Sequence, residues 1–227
     1  MPKTLTINNR KITIYYNEEN FDENKKYPIV IYNSFNGNAN GLWLECLKQK
    51  CSEFILIVLE VLKWNEEMTP WKSDPIFKNV EGYGGKADDY INVIINDIIP
   101  EVEKLFKPEY YALAGYSLAG LFTIYSMFKT NIFTRFFSGS GSFWYPEFLN
   151  FVENNKIIAN VDKVYMSLGN KEKKTSNKVL KTIETDTLKM KDYLNNLNIN
   201  VKFEFYNGNH FNDVDLRVAT GIKWILE

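Results

Sequence analysis

The stretch YYALAGYSLAGLFTIYSMF, Tyr110–Phe128, carries no charged residue. It is long enough to imitate a membrane span, which needs about 20 predominantly apolar residues. Gly115, Ser117, Gly120 and the tyrosines interrupt its apolarity, however. It reads better as a strand buried on both faces (Tyr110–Leu113) running into a buried helix (Leu118–Phe128). GYSLAG (115–120) joins the two. A serine hydrolase places its nucleophile on such a tight strand-to-helix turn, because the turn lifts the hydroxyl clear at the carboxyl end of the strand. Small residues flank that serine, since larger ones would collide with neighbouring backbone. Here the motif is G-x-S-x-A-G, with Ala119 in place of the usual second glycine. Ser117 is the candidate nucleophile.

Outward from this turn, apolar runs alternate with helical periodicities. Lys3–Ile7 and Lys11–Tyr15 alternate as hairpin strands would, and YPIVIY (27–32) and FILIVL (54–59) read as buried strands. Leu42, Trp43, Leu44 and Leu47 suggest a short helix between those two. Ala87, Ile91, Ile94, Ile95, Ile98, Val102, Leu105 and Phe106 recur at spacings of three and four, as one helix face requires. Pro100 inside that pattern lacks an N–H and predicts a kink or restart, and Pro108 predicts the end of the helix. Strands follow at Phe133–Phe137, Val164–Leu168 and Val201–Tyr206. A long helix runs across Leu180–Leu197, and a closing helix spans Asp215–Leu226. Alternation of this kind means a mostly parallel sheet with helices on both faces and antiparallel strands at its N-terminal edge. Without a linker or repeat, the 227 residues read as one domain, of a size that buries roughly 70–75% of its unfolded surface. Only residues 61–86 resist the scheme. They show neither period, and hold Trp64, Pro70, Trp71, Pro75, Phe77 and GYGG (82–85). Ordered irregular segments this long tend to be functional, so this one is expected to wall the site.

Composition narrows the chemistry. Twenty-seven basic against 28 acidic residues leave a net charge of −1, without the basic surplus by which nucleic-acid binders displace counterions. Neither an apolar leader nor a membrane span is read from the sequence, so a cytoplasmic location is expected. Cys46 and Cys51 form no C-x-x-C motif, and with a single histidine they cannot supply the two or three histidines, or His and Cys pairs, of a catalytic zinc site. No Walker-type loop or G-x-G-x-x-G is present. No metal or cofactor is expected.

The single histidine, His210, lies in YNGNHFND just after the last predicted strand. That is where an α/β-hydrolase keeps its general base, with chain order serine, acid, histidine. The acid must hold the tautomer of the imidazole and stabilise the imidazolium. Glu172 is the first carboxylate past the strand VYMSL, although lysines 171, 173 and 174 also suit a solvated charge run. Glu147, after the preceding strand, is the second candidate. Asp213 and Asp215 follow the histidine and suit the start of the last helix. Two backbone N–H groups should form the oxyanion hole: one from Leu118, the other from NSFNGN (33–38), at Phe35 with Ser34 as the alternative.

These segments together resemble the putative-esterase group of α/β-hydrolases, which includes esterase D and the enterobactin-type siderophore esterases. YPIVIYNSF, the TPW of Thr69–Trp71, GYSLAG, SGSGSFW, LGNKE and GNHF are similar to that group's segments in the same order, over Tyr27–Leu226. The resemblance implies an α/β-hydrolase fold, Ser117 as nucleophile, Glu172 as acid and His210 as base. It also implies a small-molecule ester or thioester as substrate, with acyl transfer to an alcohol or a non-catalytic binding role as alternatives. Trp64, Trp71, Phe143, Trp144 and Tyr145 are candidate pocket walls, suited to a flat acyl group.

Overall fold

The computed structural model describes residues 2–76 and 80–227. The chain opens with a hairpin, β1 (Lys3–Ile7) and β2 (Arg10–Tyr15). Its turn places Asn8 and Asn9 at φ of 51° and 59°, a left-handed pair whose twist matches that of the strands. Then come β3 (Lys26–Ser34), α1 (Asn40–Lys48), β4 (Ile55–Glu60), the single-turn α2 (Trp64–Glu67) and a two-residue ribbon, β5 (Lys72–Ser73) with β6 (Tyr83–Gly84). The remainder alternates: α3 (Ala87–Val93), α4 (Ile99–Glu103), β7 (Lys107–Tyr116), α5 (Leu118–Ser126), β8 (Phe133–Gly139), α6 (Phe148–Asn154), β9 (Lys163–Gly169), α7 (Ile183–Asn196), β10 (Asn200–Tyr206) and α8 (Val214–Leu226).

The described residues form an eight-stranded sheet in the order β1-β2-β4-β3-β7-β8-β9-β10. Pairings β1–β2 and β2–β4 are antiparallel, and every pairing from β4 to β10 is parallel. The expected α/β-hydrolase architecture is therefore present, with its antiparallel strands at one edge. Alternation along each strand splits the core in two, as the two-residue period of a strand requires. Ile29, Ile31, Ile57 and Leu113 pack with α3, α5 and α7 on one face. Val30, Leu56, Val58 and Ala114 pack with α1 and α8 on the other. Continuous apolar runs such as Ile55–Leu59 follow from having both faces covered.

The helix restarts at Pro100 as expected, and two departures from the sequence reading have local causes. Between α3 and α4 the chain makes a π-helical turn, Ile94–Ile98, and Pro100 falls in the first turn of α4. The missing N–H of Pro100 is harmless in a first turn, and the widened turn before it absorbs the ring. Pro108 lies inside β7 rather than ending a helix, at a shift in register against Tyr27–Pro28. The 61–86 segment holds α2 and the β5–β6 ribbon, elements too short for periodicity to show; its Phe77 lies outside the described residues.

Candidate active site

Ser117 sits between β7 and α5 with φ 62° and ψ −124°. Such a backbone costs an L-residue about 1–3 kcal/mol and persists only where its surroundings over-determine it. Three hydrogen bonds do so. The Ser117 N–H donates to the Gly139 carbonyl (2.9 Å), and the Ser117 carbonyl accepts from the N–H groups of Leu121 and Ser142 (both 3.1 Å). Close packing explains the glycines around it. A Cβ on Gly115 would lie 2.1 Å from the Ala119 carbonyl oxygen, and one on Gly120 would lie 2.9 Å from the Gly141 Cα. Ala119 itself is fully buried without a clash, so the motif's departure is sterically neutral. Leu118 opens α5, where the first N–H groups have no intrahelical partner.

Glu172 and His210 meet through two laced loops. After β9, Glu172 turns back so that its N–H donates to the Gly169 carbonyl (3.1 Å), and Lys171 N–H donates to the Gly208 carbonyl (2.9 Å). Gly208, at φ 139°, donates its N–H to Asn170 Oδ1 (3.1 Å). Asn209 accepts from Phe211 N–H at 2.9 Å and tightens the turn that carries the imidazole. His210 Nδ1 lies 2.7 Å from Glu172 Oε2. The other carboxylate oxygen accepts from Ser140 Oγ (2.5 Å) and from the Gly169 N–H (2.7 Å). Side-chain exposure is 5% for Glu172 and 31% for His210. Burial alone would raise the carboxyl pKa; the hydrogen bond and charge of His210, with the donors Ser140 and Gly169, outweigh it and hold the group below its ordinary value. Glu147 takes no part. It stands at φ 63° before α6, where its carboxylate accepts from Asn150 at 3.3 Å and lines a separate groove beside Trp71.

Ser117, Leu118, Glu172 and His210 line one cavity of about 470 Å³, within the range of small-molecule sites. Ser117 Oγ and the imidazole share it without a hydrogen bond between them, which is common before substrate binds. Trp64 and Trp144 are among its walls, and the 61–86 segment adds Asn65, Ile76, Val80, Glu81 and Tyr83. Trp71 and Tyr145 do not reach it, contrary to their reading as pocket walls. Trp71 packs against Tyr125, Tyr145, Phe148 and Phe151 and donates Nε1–H to the Pro146 carbonyl at 3.1 Å. The Tyr145 hydroxyl donates to the Trp71 carbonyl at 2.5 Å. An aromatic core of this kind satisfies both polar tips internally. Phe143 is likewise buried, stacked on Phe148. Phe35 follows β3 with its side chain 71% exposed and edge-on to Trp64, in an adjoining groove. Ser34 directs its hydroxyl to Asn36 and Asn38.

The sequence reading missed Ser140, Tyr116 and Arg217, which lie beneath the Glu172–His210 pair. One signal for the last was available: an arginine on the buried face of α8, among Val218, Ala219, Ile222 and Ile225.

A family profile described as Putative esterase matches residues 6–213. The chain belongs to the putative esterase family. Among curated relatives, the uncharacterized protein YbbA of Bacillus subtilis (strain 168) is 25% identical over 173 residues, which cover 72% of this chain and 69% of that protein. Among solved structures, the IroE-like serine hydrolase of Shewanella oneidensis superposes with a TM-score of 0.85 at 14% identity, covering 99% of this chain and 79% of that one. The siderophore hydrolase EstA of Aspergillus nidulans gives 0.74 at 16% identity, covering 100% and 93%. At these identities the superpositions speak for the fold. Membership of the putative esterase family makes ester hydrolysis the general activity of the chain. No helix among its described residues is long and apolar enough to cross a membrane.

Proposed function

We propose that the protein is a serine esterase that cleaves carboxylic esters or thioesters through an acyl-enzyme on Ser117, with His210 as general base and Glu172 as the acid of the triad. One observation carries this reading: a carboxylate-paired imidazole opens into the same cavity as a serine held in a strained strand-to-helix turn. Ser117 Oγ attacks the carbonyl carbon as its proton passes to His210 Nε2, and the oxyanion is held by the N–H groups of Leu118 and Phe35. The imidazolium returns the proton to the departing alcohol or thiol. A water, deprotonated by the same nitrogen, then attacks the acyl carbon; the acid leaves and Ser117 regains its proton. Glu172 keeps Nδ1 protonated throughout, so that Nε2 is free to accept.

The walls Trp64 and Trp144 support a flat or aromatic acyl group, and the match to the putative esterase family supports an ester as the cleaved bond. Cys46 and Cys51, both free thiols, suit a reducing compartment such as the cytoplasm. A fluorophosphonate probe and a panel of p-nitrophenyl esters test the proposal. Labelling at Ser117 with release of p-nitrophenol is the expected result. A label on Ser140 or Ser142, which line the same cavity, would overturn the assignment. Turnover only with added alcohol would make the protein an acyltransferase, and no acylation at all a binding protein.

A further inference from the structure

Arg217 is fully buried, with 0% exposure, on a helix face that is otherwise apolar. A guanidinium in such a place is costly unless its hydrogen bonds and charge are answered. We propose that Arg217 is the positioning residue of this site: one buried guanidinium aligns nucleophile strand, acid and base, and sets its charge against the carboxylate. The proposal rests on the serine-esterase reading.

The geometry has a direction built into it. Nη1 donates to the Tyr116 hydroxyl (2.5 Å) and Nη2 to Ser140 Oγ (2.6 Å). Arginine has donors and no acceptor, so both hydroxyls must spend lone pairs on it and send their own protons elsewhere. The Tyr116 proton goes to the His210 carbonyl at 2.8 Å, and the Ser140 proton to Glu172 Oε1 at 2.5 Å. The alternative for Ser140, the Tyr116 oxygen at 3.0 Å, is longer and uncharged. Arg217 thus turns two hydroxyls that could point either way into one-way links. The first link fixes the backbone carrying the base; its tyrosine precedes Ser117 directly. The second fixes the acid. Ser140 itself is held at φ 44°, and the guanidinium lies over the rings of Tyr116 (5.1 Å) and Tyr206 (5.3 Å).

Charge acts in the same direction. Arg217 Nη2 is 3.6 Å from Glu172 Oε1. Arg217 from α8 and Tyr116 from β7 face the pair from beneath, with Tyr206 of β10 behind the guanidinium, while Glu81 and Tyr83 line the cavity on its open side. Tyr116 stays a neutral phenol because burial pushes its pKa up to about 12. Arg217 is thus the buried cation set directly against the Glu172 carboxylate. Removing it leaves the anion uncompensated, and the pair binds a proton more tightly.

Arg217→Met, Arg217→Lys and Tyr116→Phe are compared by steady-state kinetics against pH and by the NMR titration of the single imidazole, which needs no substrate. Arg217→Met is expected to lower kcat about 10- to 100-fold with KM within about threefold. Its imidazole midpoint and the acid limb of kcat/KM should both rise by on the order of one pH unit, the effect of a unit charge several ångströms away at an effective dielectric of about 20. Arg217→Lys should restore the midpoint while recovering kcat only in part, since lysine keeps the charge without the fork. Should Arg217→Met not fold, Tyr116→Phe decides. It keeps the charge and cuts the link to the His210 carbonyl, so kcat should fall roughly 3- to 10-fold at an unchanged midpoint. A melting temperature lowered in Arg217→Met with kcat and midpoint unmoved, or wild-type kcat in Tyr116→Phe, would refute the proposal. Absence of ester turnover in the wild type would instead remove the serine-esterase reading, and the imidazole midpoint would still judge Arg217.

Discussion

Replacing Glu172 by glutamine tests the acid at nearly constant shape. Every polar neighbour of this carboxylate is a donor: His210 Nδ1 at 2.7 Å, Ser140 Oγ at 2.5 Å and the Gly169 N–H at 2.7 Å, with Arg217 Nη2 at 3.6 Å. An amide must turn its NH₂ toward one side. Facing Ser140 and Gly169, it would leave two donors without their acceptor, each costing about 1–3 kcal/mol. Facing His210, it keeps both but requires Nδ1 to accept, which moves the ring proton to Nε2 and blocks proton transfer from Ser117. The second orientation is favoured, so activity draws on the first, which lies about 2–6 kcal/mol higher. At 1.36 kcal/mol per factor of ten, kcat falls roughly 30- to 10⁴-fold, while KM, set by the cavity walls, changes little. Initial rates with a p-nitrophenyl ester near pH 8 measure this, with Glu147→Gln as control. If Glu172→Gln kept more than a tenth of wild-type kcat, or Glu147→Gln lost as much, the acid would lie elsewhere.

The same carboxylate makes stability depend on pH. Its folded pKa is depressed, so its contribution is complete above the unfolded value of about 4.3 and is lost as pH falls through the lower folded one. Urea midpoints of wild type and Glu172→Gln should therefore differ most near pH 7 and converge as pH falls through that lower value; a constant gap would contradict this. Gly115→Ala, whose Cβ would meet the Ala119 carbonyl at 2.1 Å, should cost about 3 kcal/mol and lower Tm by roughly 6–12 °C. A Tm within about 2 °C of wild type would mean that the turn yields easily. Trp64→Ala should raise KM for aromatic esters about tenfold with Tm nearly unchanged, because Trp64 walls the cavity. Trp71→Ala should do the reverse, losing about 3 kcal/mol of stability at constant KM, because its ring is part of the core beneath α6. Equal KM values in the two variants would remove Trp64 from the substrate site.

What was legible in the sequence follows from where physics acts locally. The strands around β7 are buried on both faces, so they appear as unbroken apolar runs, and GYSLAG at the end of one needs no tertiary knowledge to be read as a turn. Glu172 and His210 were legible because each follows a strand directly. Trp71 was misjudged because an aromatic side chain has the same appearance in a core as in a pocket; only the 5.6 Å approach of Phe151 and the bond to the Pro146 carbonyl distinguish the two. The Arg217 cluster was out of reach for another reason. Its partners Ser140 and Tyr116 lie 77 and 101 positions away, and no local pattern joins them.

The sheet order explains why His210 meets Glu172 rather than the carboxylate one strand earlier. Strands β7, β8, β9 and β10 are parallel and consecutive neighbours. Their carboxyl ends therefore open on one edge in chain order, with Ser117, Ser140, Glu172 and His210 in the segments that follow them. His210, on the exit from β10, can be reached directly only from the adjoining exit, that of β9, where Gly169 is paired with Tyr206. The exit from β8 stands one strand further away. What it contributes is Ser140, whose hydroxyl bridges from Arg217 to Glu172, while Glu147 is carried off by the chain to the start of α6. Chain order alone leaves both glutamates open, since each lies between serine and histidine. Strand adjacency separates them, and adjacency is a property of pairings between residues far apart in the chain.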